Sequence, residues 1–355
     1  MMIERLREYV AAETPTGDAA ALNAFADLLA TRYADLGATV RRDPHPTGDH
    51  LIADFPGRDD APLLFLAHHD TVWPIGSIPW READGIIHGP GVFDMKGGLV
   101  VLETAIEQVA GHDHRPLRIV VVADEEVGSP SARELVTAEA KGVYAAFGFE
   151  PPHPNGDLKT SRWGSTRVRI EVTGREAHAA LDPDSGISAI DELVDQLIAV
   201  RRVTEAHENM LCNVGTIAGG GRTNVVPGSA SADIGFRFVD AATEDAVLTA
   251  VRALKPVRAA RLRVQVLSNR PAWQPSAATD ELLAKVAAAG RSVGQEIGGA
   301  PASGAADTNL TGWLGIPTLD GLGPVGKGAH AVHEQVFAAT LAERAALVTA
   351  VITAL

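Results

Sequence analysis

The chain has 355 residues and a formal net charge of -14, with 46% hydrophobic and 21% charged residues. This is ordinary globular composition at a length that suits two domains better than one, and it argues against a disordered or fibrous chain. The acidic balance, uninterrupted by any Lys/Arg cluster, repels nucleic acid and anionic lipid, so a small molecule is the expected partner.

Read from the start, residues 1–10 (MMIERLREYV) place charges where a secretion signal needs an apolar stretch. No later run approaches the roughly 18 apolar residues of a membrane span, and a cytoplasmic protein is expected. Between Asp18 and Leu36, Leu22, Phe25, Leu28, Leu29, Tyr33 and Leu36 recur at helical spacing, and Gly37 offers a stop. Apolar runs of strand length follow at 62–67, 117–123 and 144–149, the second rich in β-branched residues. Between the first two, Met95, Leu99, Leu102, Ile106 and Val109 mark one face of a helix. Strands alternating with helices predict an α/β architecture, a sheet covered on both faces.

From about residue 165 the rhythm changes to strand 165–173, helix 186–201, strands 211–218 and 229–238, helix 242–254 and strand 260–267. That βαββαβ order is the ferredoxin-like split motif. Beyond Arg270 the α/β pattern resumes, with helices near 277–290 and 337–354 around a short strand at 316–319. The expected boundaries are 1–163 and 269–355 for a discontinuous α/β domain and 164–268 for the insert. Cys212, the only cysteine, rules out an intramolecular disulfide and a thiolate metal cage, and reads as a core residue. Trp73, Trp80 and Trp313 read as core as well.

The candidate chemistry gathers at strand ends. The first strand runs into His68-His69-Asp70, the second into Asp124-Glu125-Glu126 and the third into Glu150. Open α/β sheets place their sites at such carboxyl ends. A fourth acidic element is the segment 89–98 (GPGVFDMKGG), where glycines allow close backbone approach just before a helix. So many carboxylates on one edge repel each other unless cations neutralise them, and mixed imidazole and carboxylate donors without cysteine suit Zn²⁺, Co²⁺ or Mn²⁺.

These segments resemble those of the M20 metallopeptidases over nearly the whole chain. The resemblance implies a phosphorylase/hydrolase-like α/β peptidase domain with two metal ions, zinc first and cobalt or manganese as alternatives, and an inserted lid or dimerisation domain. Residues 68–72 (HHDTV) resemble the family's H-x-D-T-V, making His68 a ligand and Asp70 the residue that orients it. Segment 89–98 makes Asp94 the carboxylate bridging both ions. In Asp124-Glu125-Glu126, Glu125 becomes the general base and Glu126 a ligand; Phe149-Glu150-Pro151 gives Glu150 as ligand. Residues 326–334 (GKGAHAVHE) resemble the closing G-x-x-x-H-x-x-x-E, with His330 the last ligand. One ion then takes His68, Asp94 and Glu150, the other Asp94, Glu126 and His330.

By the same resemblance His178, in residues 174–179 (GREAHA), helps hold the oxyanion. Asn224 and Arg237, with Arg270 as a weaker candidate, grip the substrate's free carboxylate, and Asp307 lines the pocket. His333, Ala305 and Ala306 depart from the family pattern at positions that bear on substrate choice and leave the ligand set intact. The implied activity is hydrolysis of an amide bond in an N-acyl amino acid or short peptide with a free carboxylate. A glutamate carboxypeptidase-like enzyme leads. An N-acyl-amino-acid deacylase and a catalytically silent metal-dependent binding protein are the alternatives. A homodimer joined through the insert is expected.

Overall fold

The computed structural model describes residues 1–58 and 61–355. The chain divides into two compact units, one formed by Met1–Arg162, Pro275–Ala302 and Ala306–Leu355, the other by Trp163–Gln274 with Ser303–Ala305.

The first unit is built on a six-stranded sheet in the order Thr39–Asp43, His50–Phe55, Leu117–Val122, Leu63–His68, Ala145–Gly148, Thr318–Leu319. The last four run parallel, and His50–Phe55 pairs antiparallel with both of its neighbours, Thr39–Asp43 and Leu117–Val122. Alternate side chains go to opposite faces, as the pleat requires. Leu63, Phe65, Ile119, Val121 and Phe147 join the large core with helices Met2–Ala11, Ala19–Asp35, Lys96–Val109, Ala277–Ser292 and Ala338–Ala354. Leu64, Leu66, Val120, Val122 and Ala146 face helices Ala132–Glu139 and Thr308–Trp313 through Val136 and Leu310. Burial on both faces explains why these strands read as unbroken apolar runs. A small sheet, ordered Gly326–Lys327, Gln335–Phe337, Ile86–His88, Arg81–Ala83, sits beside the loops that matter below.

The second unit is an antiparallel sheet ordered Met210–Gly219, Ser229–Phe238, Gly164–Thr173, Arg261–Arg270, with helices Ala189–Glu205 and Ala241–Arg252. Val168, Ile170, Ile234, Phe236 and Val247 make its separate core. The first of these helices starts three residues later than the apolar spacing suggests, because the Ser188 side chain accepts the Asp191 N–H (3.2 Å) and caps it there.

Two core expectations fail. Cys212 is exposed, because its strand is the open edge of the second sheet and carries most of its side chains in solvent. Trp313 is 49% exposed at the last position of a six-residue helix. Trp80 packs against the main core, and half-buried Trp73 is held by a hydrogen bond described below. Among the described residues no helix is long and apolar enough to cross a membrane.

Candidate metal centre

Strand register brings the candidate residues together. His68 lies opposite Val122, and Leu66 opposite Gly148. Two residues further along, Glu150 comes level with His68, and the turn Glu125–Val127 starts just past the end of the neighbouring strand. All six positions of Leu63–His68 are buried, so these side chains project from a fixed frame. Asp94 arrives from the loop between Ile86–His88 and the helix Lys96–Val109. In that loop Gly91 adopts φ +73°, and a Cβ there would meet Thr71 Cγ2 at 2.8 Å. The Asp94–Met95 peptide is cis. His330 stands in a tight turn at φ 60°, closed by the Ala331 N–H on the Gly328 carbonyl (2.9 Å).

Asp94 occupies the centre. Its Oδ1 is 3.1 Å from His68 Nε2 and its Oδ2 is 3.3 Å from His330 Nε2. His68 Nε2 is 3.6 Å from Glu150 Oε1, and His330 Nε2 is 2.8 Å from Glu126 Oε2. One carboxylate thus faces two imidazole–carboxylate pairs, one with each oxygen. Ligand atoms of His68, Asp94 and Glu126 lie within 4.8 Å of one another, and so do those of His68, Glu125 and Glu150. Glu126 Oε1 is buried without a hydrogen-bond partner. An acceptor left open among converging imidazoles and carboxylates, with no thiolate, is a donor set that fits divalent cations.

Proton affinities register the same demand for positive charge. Burial first, then the Asp94 charge, pushes Glu150 up to about 7, and burial pushes Glu126 to about 7 against the opposing His330 bond. Hydrogen bonds to Asp94 and Glu126 raise His330 to about 11. Burial works against a protonated His68, but Asp70, Asp94 and the nearby glutamates outweigh it and raise its pKa well above the usual imidazole value. Burial also opposes ionised Asp94, yet its bonds to His330 and His68 hold its carboxyl well below the ordinary carboxylate range.

Asp70 ties the parts to one another. It is fully buried; Thr16 Oγ1 donates to its Oδ2 (2.8 Å), and the Glu125 and Glu126 N–H groups donate to Oδ1 and Oδ2 at 3.1 and 3.2 Å. His68 Nδ1 lies 2.9 Å from the Asp70 carbonyl and 3.3 Å from its carboxylate, an arrangement that puts the ring proton on Nδ1 and leaves Nε2 for a ligand's task. Nearby, Arg162 and Thr308 bond the buried Asp320. Asp307, itself buried and bonded to Ser129 Oγ, joins His68, Glu125, Glu150, Ala306 and Thr308 around a cavity of about 10 Å³, the room of one water.

The remaining candidates belong to the second unit. His178 is exposed, its Nδ1 accepting the N–H groups of Ala180 and Leu181 (3.2 and 3.0 Å), which leaves the proton on Nε2. Asn224 pairs with the same turn, its carbonyl accepting the Ala179 N–H at 3.0 Å. Arg237 and Arg270 lie opposite Ser165 from either side. Arg237 bonds the Ser165 hydroxyl, and burial together with the Arg270 charge lowers its pKa. Thr16 and Trp73 have hydrogen bonds in the centre that no spacing in the sequence announces, and Glu334, which closes the segment 326–334, has bonds there that its place in that segment does not specify.

The chain is similar to known proteins along nearly its whole length. The model of peptidase family M20/M25/M40 matches residues 64–354. Carboxypeptidase G2 of Pseudomonas sp. (strain RS-16) is 29% identical over 344 residues, spanning 93% of this chain and 83% of the relative. A succinyl-diaminopimelate desuccinylase of Alkalilimnicola ehrlichii is 30% identical over 349 residues, 88% of this chain and 89% of that one. Among solved structures, an M20 family metallo-carboxypeptidase from Sulfolobus solfataricus superposes with a TM-score of 0.79 at 14% identity, covering 99% and 98% of the two chains. The aminopeptidase PepT of Bacillus cereus gives 0.76 at 22% identity, covering 99% and 97%.

Proposed function

Because the chain belongs to peptidase family M20/M25/M40 and is a hydrolase, we propose that it cuts an amide bond of an N-acyl amino acid or short peptide bearing a free carboxylate, as a glutamate carboxypeptidase-like enzyme. His68, Asp94, Glu126, Glu150 and His330 would hold two divalent ions, zinc in the first place and cobalt or manganese otherwise. The observation that carries the reading is Asp94, with one oxygen 3.1 Å from His68 and the other 3.3 Å from His330. Divalent ions bound there would supply Lewis acidity and lower the pKa of an attacking water toward neutrality.

The chain's own groups divide the rest of the work. Glu125, its backbone anchored on Asp70, takes the proton of the attacking water and returns it to the departing amine. His178 offers its Nε2–H to the oxyanion. Asn224 and the two guanidiniums flanking Ser165 suit a carboxylate, since an arginine fork binds both oxygens. Asp307 lines the floor beside Glu125.

The deacylase assignment draws on the relatives named as desuccinylases. Acyl-glutamates, acetyl-amino acids and dipeptides, each tried before and after chelation, separate the two; silence on all of them, with metal present, leaves the silent binding protein. Glu125→Gln is expected to keep zinc bound while removing hydrolysis, and undiminished turnover would overturn the assigned base. The reading also takes the chain as a cytoplasmic homodimer joined through the second unit. Exposed Leu211 and Ile217 on the open edge strand, with Ile190, Val194 and Ile198 on the adjoining helix, support the dimer, and the mass in solution tests it.

A further inference from the structure

We propose that Glu334 is a positioning residue that sets the Asp94 loop for metal and locks it to the turn carrying His330; this rests on the reading of Asp94 as a ligand. Glu334 is fully buried, and four N–H groups converge on its carboxylate. Oε1 accepts the backbone N–H of Phe93 (2.9 Å) and of Asp94 itself (3.0 Å), while Oε2 accepts Gly91 N–H (3.1 Å) and the Trp73 indole N–H (2.7 Å). Three of these donors are backbone amides of the loop that delivers Asp94. A loop that turns three buried amides onto one point needs an anion there, and here the anion comes from a distant part of the chain.

The attachment runs both ways. Glu334 follows the His330 turn directly, its own N–H bonded to the Ala331 carbonyl (2.8 Å). The next residue, Gln335, opens the strand that pairs with Ile86–His88, the strand from which the Asp94 loop departs, with Gln335 opposite His88. Strand pairing and the carboxylate therefore hold the two loops in one register. Removing the carboxylate leaves buried amides unpaired and frees Asp94 relative to His330. Groups that orient ligands in this way are worth about 10–100-fold in metal affinity.

The test measures zinc affinity by competition with a chromophoric chelator, alongside the thermal midpoint of the metal-free chain, for the unaltered chain, Glu334→Gln, Trp73→Phe and Asp94→Asn. Glu334→Gln is expected to weaken zinc by about 10–100-fold. Trp73→Phe, which removes one donor from the outside of the loop, is expected to weaken it by about threefold. A residue that served only stability would lower the midpoint and leave affinity alone, so zinc binding within twofold of the unaltered chain in both variants overturns the proposal. Should Glu334→Gln fail to fold, Trp73→Phe decides by itself. If Asp94→Asn binds zinc undiminished, the ligand assignment falls and this inference with it; if Asp94→Asn loses zinc and the other two do not, the clamp alone is wrong.

Discussion

Asp70 shows how much one buried side chain carries. Three donors outside its own segment end on it, and two of them are the backbone of the assigned base and the ligand beside it. Thr16 supplies the third, from 54 residues away. A hydrogen bond to a charged group contributes about 1.5–3 kcal/mol. Thr16→Val keeps the shape and deletes the hydroxyl, so it should destabilise the chain by about that amount, with Thr16→Ser restoring most of it; urea midpoints of the two variants check this, and equal midpoints would remove Thr16 from the network. The contrast between Asp70 and Thr16 marks what was legible. His68, Asp94, Glu125, Glu126, Glu150 and His330 sit in short segments whose residue types announce metal chemistry. Thr16 does not: a hydroxyl that reaches its acceptor through tertiary folding leaves no local pattern, and the same holds for the four donors on Glu334.

At the scale of elements the sequence was most readable where a regular periodicity runs for many residues. The strand at 229–238 and the helix from 277 lie where the apolar pattern puts them. The hairpin Thr39–Asp43 with His50–Phe55 was not foreseen, because its outer strand is half exposed and spells TVRRD, with no apolar alternation to read. Cys212 misled for the same reason, since an edge strand exposes what a central strand buries. The start of Lys96–Val109 offers a sharper test of which local force wins. Helix propensity favours alanine over glycine by about 1 kcal/mol. At Gly98, however, a Cβ would fall 2.2 Å from the Phe149 carbonyl oxygen and 2.9 Å from Met95 Cε. Overpacking of this kind costs about 1–3 kcal/mol, and the obstacle is backbone next to Glu150 that cannot swing away. Gly98→Ala should therefore lower the urea midpoint despite its better propensity. A raised midpoint would mean that the strand end yields and the helix decides.

Taken as a whole, the molecule concentrates unlike charges at one centre while carrying a net charge of -14, so its stability should depend on what neutralises that centre. In the chelated chain, protons take the part. Glu126 and Glu150 have folded pKa values of about 7 against an ordinary 4.5. Their contribution is therefore complete below about pH 4.5 and lost as pH rises through 7, at about 1.4 kcal/mol per pH unit for each proton the unfolded chain lacks. His330, raised from 6.5 to about 11, acts in the same direction over a higher window, with an effect softened by its 54% exposure. His68, also raised, adds to it. Asp94 has the opposite sign, but its lowered pKa acts only as pH falls below the ordinary 3.8. Elsewhere, burial lowers His69 to about 4 and Lys96 to about 7, and these two act in the opposite direction with or without metal. Within the centre all the strong contributions between pH 5 and 8 therefore agree, and its share of the metal-free chain's stability should fall as pH rises. Added zinc reverses the trend, because deprotonated ligands bind it more tightly and a ligand at 100 times its dissociation constant stabilises the folded state by about 2.7 kcal/mol. Thermal melts at pH 5, 6, 7 and 8, with zinc and with chelator, should show a gap in midpoint that widens at each step; a gap that stays constant or narrows would mean that the carboxylates and imidazoles around Asp94 do not share one pool of positive charge.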